Sequence, residues 1–311
     1  MLPPTKPKII VIAGPTASGK TGLAVELALS LGGEVINADS MQVYRYMDVG
    51  TAKPTMEERR GVLHHLLDIV DPDEDFNAAA YRQMALPLAK RICAKNMPCF
   101  VVGGTGLYIR SLLGGLVDLP PSDPALRDQL HAECERKGAA KLHQRLAKLD
   151  PERAESIHPN DRVRIVRALE IIQQTHRPSS DLLKQHQFKT QDFLALKLYL
   201  HLEKEQLYGR INQRTEKMIS CGLVEETKDL LKSGYGPDLK PMAAIGYRHV
   251  LNYLKGKWSL EEATTMLKRD TRRYAKRQMT WFKAEPDMIP MDPVDRALAE
   301  KMIRVFLAES A

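Results

Sequence analysis

At 311 residues the chain is long enough for two structural units, or for one α/β core carrying an insertion. Its 43% hydrophobic and 27% charged residues exclude a disordered or collagen-like chain, and no apolar run reaches the ~18 residues a membrane helix needs. Lys and Arg outnumber Asp and Glu by 46 to 39, an excess that favours a polyanionic partner, nucleic acid or phosphorylated, unless it serves solubility alone. The early apolar run Ile9 to Ala13 is too short for a signal-peptide core, so a cytoplasmic location is expected. Cys93, Cys99, Cys134 and Cys221 lack metal-type spacing and read as reduced thiols.

In chain order, residues 8–13 (Lys-Ile-Ile-Val-Ile-Ala) predict a buried parallel strand. A glycine-rich turn follows, then a helix from Thr21 to Leu31 and a second strand at Glu34 to Asn37. His65 to Val70 reads as a third strand. Asn77 to Lys95 has helical spacing, with Pro87 expected to kink or break it. Cys99 to Val102 is another buried strand, ending at Gly103-Gly104. Strands alternating with helices predict an α/β fold, a parallel sheet wound with helices on both faces, and the Gly-x-x-x-x-Gly-Lys-Thr match at residues 14–21 makes it P-loop NTPase-like. At Leu119-Pro-Pro-Ser-Asp-Pro124 the pattern changes to helices alone, with Ser122 or Asp123 fit to cap and Pro124 fit for a first turn. Phe193 to Leu200 restores the strand pattern. The expectation is an all-helical insertion over 119–191 in a core of 1–118 and 192–311. Residues 202–285 read as mostly helical, with turns at 234–237 and 255–256.

Gly14, Pro15, Thr16, Ala17, Ser18, Gly19, Lys20 and Thr21 match Gly-x-x-x-x-Gly-Lys-Thr in full, between a strand and a helix. Glycines let the backbone curl so that several N–H groups point inward, and the helix N-terminus adds partial positive charge. Lys20 supplies a full charge, and the Thr21 hydroxyl can hold Mg²⁺. The loop does not say which phosphate compound it takes. Asp39 and Thr105 each follow a strand, where open parallel sheets bind ligands. Asp39 is a general base, a Mg²⁺ ligand through water, or a turn residue; Thr105 is most simply a helix N-cap.

Lys268 to Lys283 holds seven cations and one acid, and Arg269, Arg272, Arg273 and Lys276 form a helical stripe. Such imbalance suits phosphate-backbone contact, against the plainer reading of a solvated face. Tyr274, Trp281 and Phe282 are interleaved, the last two also fitting a core. Arg162, Arg164 and Arg167 follow a cap at Asn160 or Asp161. Arg210 and Arg214, four apart, suit a diphosphate or an intrahelical ion pair with a nearby Glu.

Together, Gly14–Thr21, Asp39–Gln42, Asp48–Pro54, Gly103–Thr105, His158–Asp161 with Arg167–Glu170, Ile245–Arg248 and Lys276–Trp281 resemble the tRNA dimethylallyltransferase family, the bacterial isopentenyl-tRNA transferases. The resemblance runs from about residue 8 to 283. It implies transfer of a dimethylallyl group from its diphosphate to N6 of the adenosine just 3′ of the anticodon. Dimethylallyl diphosphate and the tRNA anticodon stem-loop are the implied partners, Mg²⁺ the implied cofactor and a monomer the simplest state. By the same matching, Asp39 resembles the general base, Thr105 a contact to the target adenine and Arg214 the diphosphate arginine. Resembling tRNA contacts are Asp39, Ser40, Met41 and Gln42; Thr105 and Arg127; and Val163, Arg164, Ile165, Val166 and Arg167. Ala243, Ala244, Ile245, Gly246, Tyr247 and Arg248 match likewise, as do Lys276, Arg277, Gln278, Met279, Thr280, Trp281, Phe282 and Lys283. The rival from another reaction class is a small-molecule kinase that seats ATP in the same loop and closes the helical insertion as a lid. The long basic C-terminal region argues against it. A nucleotide-switched RNA-binding regulator is a third reading, lowered by the lack of an Asn-Lys-x-Asp tetrad.

Overall fold

The computed structural model describes residues 6–117, 119–186 and 191–309. In chain order the elements are β1 (Lys8–Ala13), α1 (Lys20–Leu31), β2 (Glu34–Asn37), α2 (Met56–Arg59), β3 (His64–His65), α3 (Ala78–Ala94), β4 (Cys99–Gly103) and α4 (Gly106–Gly114). There follow α5 (Pro124–Lys137), α6 (Ala139–Leu149), α7 (Pro151–Glu155), α8 (Arg162–Thr175), α9 (Ser179–His186), β5 (Leu194–Leu200) and α10 (Lys204–Ser220). The last are α11 (Leu223–Lys232), α12 (Tyr247–Leu254), α13 (Leu260–Ala284), β6 (Met288–Met291) and α14 (Arg296–Ala308). They fall into two compact units, Met1–Leu113 with Gln191–Ala311, and Gly114–Thr190. Asp118 and residues 187–190, at the junctions expected from the sequence, lie outside the described residues.

The first unit is built on a parallel sheet of order β3-β2-β4-β1-β5-β6. The apolar run of β1 is continuous because the strand is buried on both faces. Ile9 and Val11 enter the layer that holds Tyr81, Ala85, Ala89 and Ile92 of α3. Ile10 and Ile12 enter the opposite layer, with Leu23, Ala24 and Leu27 of α1 and Ala299 and Ile303 of α14.

Three expectations are corrected. The third strand is only His64–His65, because Leu66 (φ 61°) and Asp68 (φ 54°) turn left-handed and end it. Val70 keeps one isolated bridge, to Tyr44. Helix α3 continues through Pro87. That residue is on the exposed side, where water can serve the carbonyl it frees, while the opposite face stays anchored in the core. Finally, β6 and α14 lie beyond the last predicted element. Pro290 hides β6 from pattern reading, yet a proline is tolerated in the outermost strand.

The second unit is helical among its described residues, α5 to α8 packing around Leu130, Cys134, Leu142, Leu146, Ile157, Ile165 and Leu169. Asp123 caps α5 with Pro124 in the first turn, and the Asp161 carboxylate accepts the Arg164 N–H at 3.1 Å to cap α8. Asp161→Ala is expected to cost about 1 kcal/mol, read as a lowered urea midpoint at unchanged slope.

Candidate active site

Sheet order explains why distant segments share one site. β4 lies between β2 and β1, with Val102 beside Asn37 and Gly103 beside Ala13. Three adjacent strand ends therefore deliver the Asp39 loop, the Thr105 loop and the phosphate loop to the same edge. Gly103 makes the approach possible, since a Cβ there would sit 2.1 Å from the Ala38 carbonyl oxygen. The Ala38 N–H donates to Val102 O at 2.7 Å, and the Thr105 N–H donates to Ala38 O at 3.0 Å.

The phosphate loop curls as the sequence requires. Gly19 has φ 91°, and the first turn of α1 takes no capping side chain, which leaves its amides for an anion. The Lys20 ammonium donates to Pro15 O at 2.7 Å. Burial pushes its pKa down to about 7, opposed by Asp39 and reinforced by Arg214. Arg214, on α10, donates to the Thr16 hydroxyl at 3.3 Å and to Ala52 O at 3.4 Å. Burial lowers its pKa too, against the pull of Asp39 and Glu58. Arg210 brings its guanidinium near Gly19, 3.7 Å from where a Cβ would stand. Among the described residues neither arginine forms the intrahelical ion pair left open by the sequence.

Asp39 is held by an Asx turn. One carboxylate oxygen accepts the Met41 N–H at 2.8 Å, and buried Asn37 accepts the Asp39 N–H at 3.1 Å. The second carboxylate oxygen takes no hydrogen bond among the described residues. Thr105 stands at the head of α4, but its hydroxyl accepts the Ser40 N–H at 2.9 Å rather than capping the helix. It thereby ties the Thr105 loop to the Asp39 loop, and its own proton stays available to a ligand.

A cleft of about 370 Å³ runs between the phosphate loop, the Asp39 loop and α10, and Thr105 is not among its lining residues. Thr16, Lys20, Thr21, Asp39, Ser40, Met41, Gln42 and Arg214 line it, with Ala244, Ile245, Arg248, Arg277 and Gln278. Gly50, Thr51 and Ala52, part of the resembling Asp48–Pro54 segment but given no role from the sequence, also line it, and the pattern reading missed the apolar wall of Ile211, Met218 and Leu267. Helical spacing carries a signal for that wall: Ile211, Arg214, Thr215 and Met218 recur at i, i+3, i+4 and i+7, and Leu267, Thr271, Tyr274 and Gln278 at i, i+4, i+7 and i+11. The Tyr274 hydroxyl is kept neutral, its pKa pushed far up by burial and then by Asp39.

Several residues matched to tRNA contacts also make contacts within the protein. Gln278 accepts the Thr16 N–H at 2.8 Å and donates to Gly104 O at 2.9 Å, so its amide braces the phosphate loop. Tyr247 is fully buried and donates to Glu226 at 2.7 Å. Phe282 is buried, Met279 packs on the Leu207–Ile211 cluster, and Trp281 lies against Gly106 with the Arg110 guanidinium 4.4 Å from its ring. In the helical unit Ile165 and Val166 are core residues, whereas Val163 and Arg164 are exposed. Arg127 and Arg167 both pair with buried Glu170, at 2.9 and 3.0 Å. Burial alone would raise the Glu170 pKa, but hydrogen bonds from Arg167, Arg127 and the Asp123 N–H hold it low.

The basic stripe on α13 is partly neutralised. Asp270 pairs with Arg248 at 2.7 Å, Arg269 at 3.0 Å and Arg273 at 3.7 Å. Despite burial, the bonds from Arg269 and Arg248 pull its pKa down to about 2. Arg272 donates to Asn212 at 2.9 Å. Lys276, Arg277 and Lys283 are exposed and take no ion pair among the described residues.

The IPP transferase family matches residues 42–285, and the isopentenyl transferase family residues 7–70. The chain is similar to the tRNA dimethylallyltransferase of Desulfosudis oleivorans, 51% identical over 93% of this chain and 92% of the relative. The Geobacter sulfurreducens protein of that name is 52% identical over 91% of each chain. Among solved structures, the full-length tRNA isopentenylpyrophosphate transferase of Bacillus halodurans has a TM-score of 0.73 and 40% identity, covering 97% of both chains. A eukaryotic dimethylallyltransferase acting on tRNA has a TM-score of 0.79 and 30% identity, over 96% of this chain and 78% of that one.

Proposed function

As this chain belongs to the IPP transferase family, we propose that it transfers a dimethylallyl group from dimethylallyl diphosphate to N6 of the adenosine just 3′ of the anticodon in tRNA. The observation that carries this reading is that one cleft has Lys20 and Arg214, Asp39 and an apolar wall together on its lining.

Each group has a task in that reaction. The exocyclic amine is a weak nucleophile because its lone pair is delocalised into the ring. Asp39 takes its proton as the C–N bond forms at the first prenyl carbon. The C–O bond to the diphosphate breaks in the same displacement, and inorganic pyrophosphate leaves. Lys20, Arg214 and the free amides of α1 neutralise the charge that develops on the leaving group. Thr105 can donate its hydroxyl proton to an adenine nitrogen. Ile211, Met218 and Leu267 offer the apolar surface a prenyl chain needs. The adenosine leaves its stack to reach the cleft. Thr21, beside Lys20 on the lining, would hold a Mg²⁺ through its hydroxyl, and the ion would add positive charge to offset the negative charge developing on the leaving group.

Exposed Lys276, Arg277 and Lys283 supply the contacts to the RNA backbone in this reading. Lys276→Ala with Arg277→Ala is expected to weaken tRNA binding and to flatten the log affinity–log salt slope by about one unit per cation. Arg269→Ala should do less, because Asp270 already offsets its charge. An unchanged slope in the double variant would remove α13 from the RNA surface.

Nucleoside analysis of reacted tRNA tests the target. Label from the prenyl carbons should reside on the adenosine beside the anticodon and vanish when that position is guanosine. Label elsewhere on the RNA would refute the assignment.

A further inference from the structure

The segment Asp48-Val-Gly-Thr-Ala-Lys-Pro54 is braced from two sides. Glu226, on α11, accepts the N–H groups of Asp48 and Val49 on one carboxylate oxygen, at 2.8 and 2.7 Å. Its other oxygen accepts the Gly50 N–H at 2.9 Å and the Tyr247 hydroxyl at 2.7 Å. Three successive amides turned on one anion form a nest, and here the anion is the protein's own carboxylate. From within, the buried Lys53 ammonium donates to Tyr44 O at 2.8 Å, to Asp48 at 2.6 Å and to Asp68.

These braces present two carbonyls to the cleft. Thr51 O and Ala52 O accept the Gln42 amide at 3.4 and 3.2 Å, and Ala52 O also accepts Arg214. Ala52 itself is left-handed, φ 46°, a conformation that persists only where the surroundings impose it. Water could serve the amides of exposed Asp48 and half-buried Val49 without Glu226, whereas Gly50 is buried and its amide meets the carboxylate. What the carboxylate adds is a fixed loop shape. A guanidinium is planar, so anchoring one edge on Ala52 O sets the direction of its remaining donors.

We propose that Glu226 is a positioning residue for diphosphate recognition: by gripping the amides of residues 48–50 it fixes the Ala52 carbonyl, and through it the plane of Arg214 beside Thr16. Lys53 holds the same loop from the inside. The proposal rests on reading the cleft as a diphosphate site.

Glu226→Gln keeps the shape but turns one acceptor into a donor, and Lys53→Met removes the inner strut. Each variant is titrated with inorganic pyrophosphate, assayed with dimethylallyl diphosphate, and melted. Both are expected to raise the pyrophosphate Kd and the donor KM by at least about tenfold, with tRNA Kd within about twofold of wild type. Combined with Arg214→Lys, Glu226→Gln should add little, since both changes disturb the same contact. Folded variants with wild-type pyrophosphate affinity, or losses that add in full to Arg214→Lys, overturn the proposal. Should Glu226→Gln fail to fold, Lys53→Met and its own cycle with Arg214→Lys decide by the same criteria. A wild-type protein that binds pyrophosphate but transfers no prenyl group sinks the functional reading alone, and the titrations still judge the clamp.

Discussion

Asp39→Asn is expected to lower kcat by roughly 10²–10⁴-fold while leaving tRNA affinity nearly intact, which is the usual range for removing a general base. Asparagine is the discriminating choice. Its side-chain oxygen can still accept the Met41 N–H, so the turn that shapes the loop survives. What disappears is the basic oxygen that takes no protein hydrogen bond. Asp39→Ala removes both, and any loss beyond that of the asparagine variant measures the turn. Single-turnover rates with saturating tRNA, alongside filter-binding affinities, separate the two effects. Wild-type turnover in the Asp39→Asn enzyme would remove this carboxylate from proton transfer. A parallel loss of tRNA affinity would instead make it a binding residue.

Lys20→Met should raise the KM for dimethylallyl diphosphate and lower kcat together, by roughly 10²–10³-fold in kcat/KM, as for loss of a preorganised donor to a developing anion. A pH signature accompanies it. In the free protein burial holds the Lys20 pKa at about 7. A bound diphosphate supplies the opposite charge and raises that pKa. Below about 7 the lysine is charged both free and bound, and affinity is flat with respect to this group. As pH climbs from about 7 towards the bound-state pKa, binding must take up a proton, and affinity falls by up to about tenfold per pH unit. Calorimetry in two buffers of different ionisation enthalpy, above the range where the diphosphate itself titrates, reads that uptake directly. Lys20→Met should abolish it. Wild-type binding without proton uptake at pH 8 would mean that this lysine is already charged in the free protein.

How far the sequence discloses the site depends on the reach of each interaction. The phosphate loop is legible because a backbone that must curl around an anion needs glycines at fixed spacing, and Gly14 and Gly19 with Lys20 meet that need within one segment. Asp39 and Thr105 are legible because a parallel sheet binds at its strand ends. Thr105 does precede α4, its carbonyl taking the Tyr108 and Ile109 N–H groups, but its hydroxyl goes to the Ser40 N–H in the loop after another strand. Gln278 braces Thr16 from 262 positions away, and Glu226 grips a loop 176 to 178 positions away; no local pattern encodes such partners. The α13 stripe reads as uniformly basic in one dimension, whereas folding brings Arg248 onto the same Asp270 that offsets Arg269. Buried members of matched segments, such as Tyr247 and Ile165, carry motif identity for packing reasons rather than for contact.

Prenyl transfer is defined by which bond of the donor breaks and which fragment the RNA keeps. Dimethylallyl diphosphate labelled with ¹⁴C in the prenyl chain and ³²P in the diphosphate, incubated with unmodified tRNA and Mg²⁺ but no ATP, decides it in one reaction. The prediction is ¹⁴C in the RNA and an equal yield of ³²P as inorganic pyrophosphate, both formed roughly 10²–10⁴-fold more slowly in Asp39→Asn. Phosphorus label on the RNA, or RNA labelling that demands ATP, would contradict it.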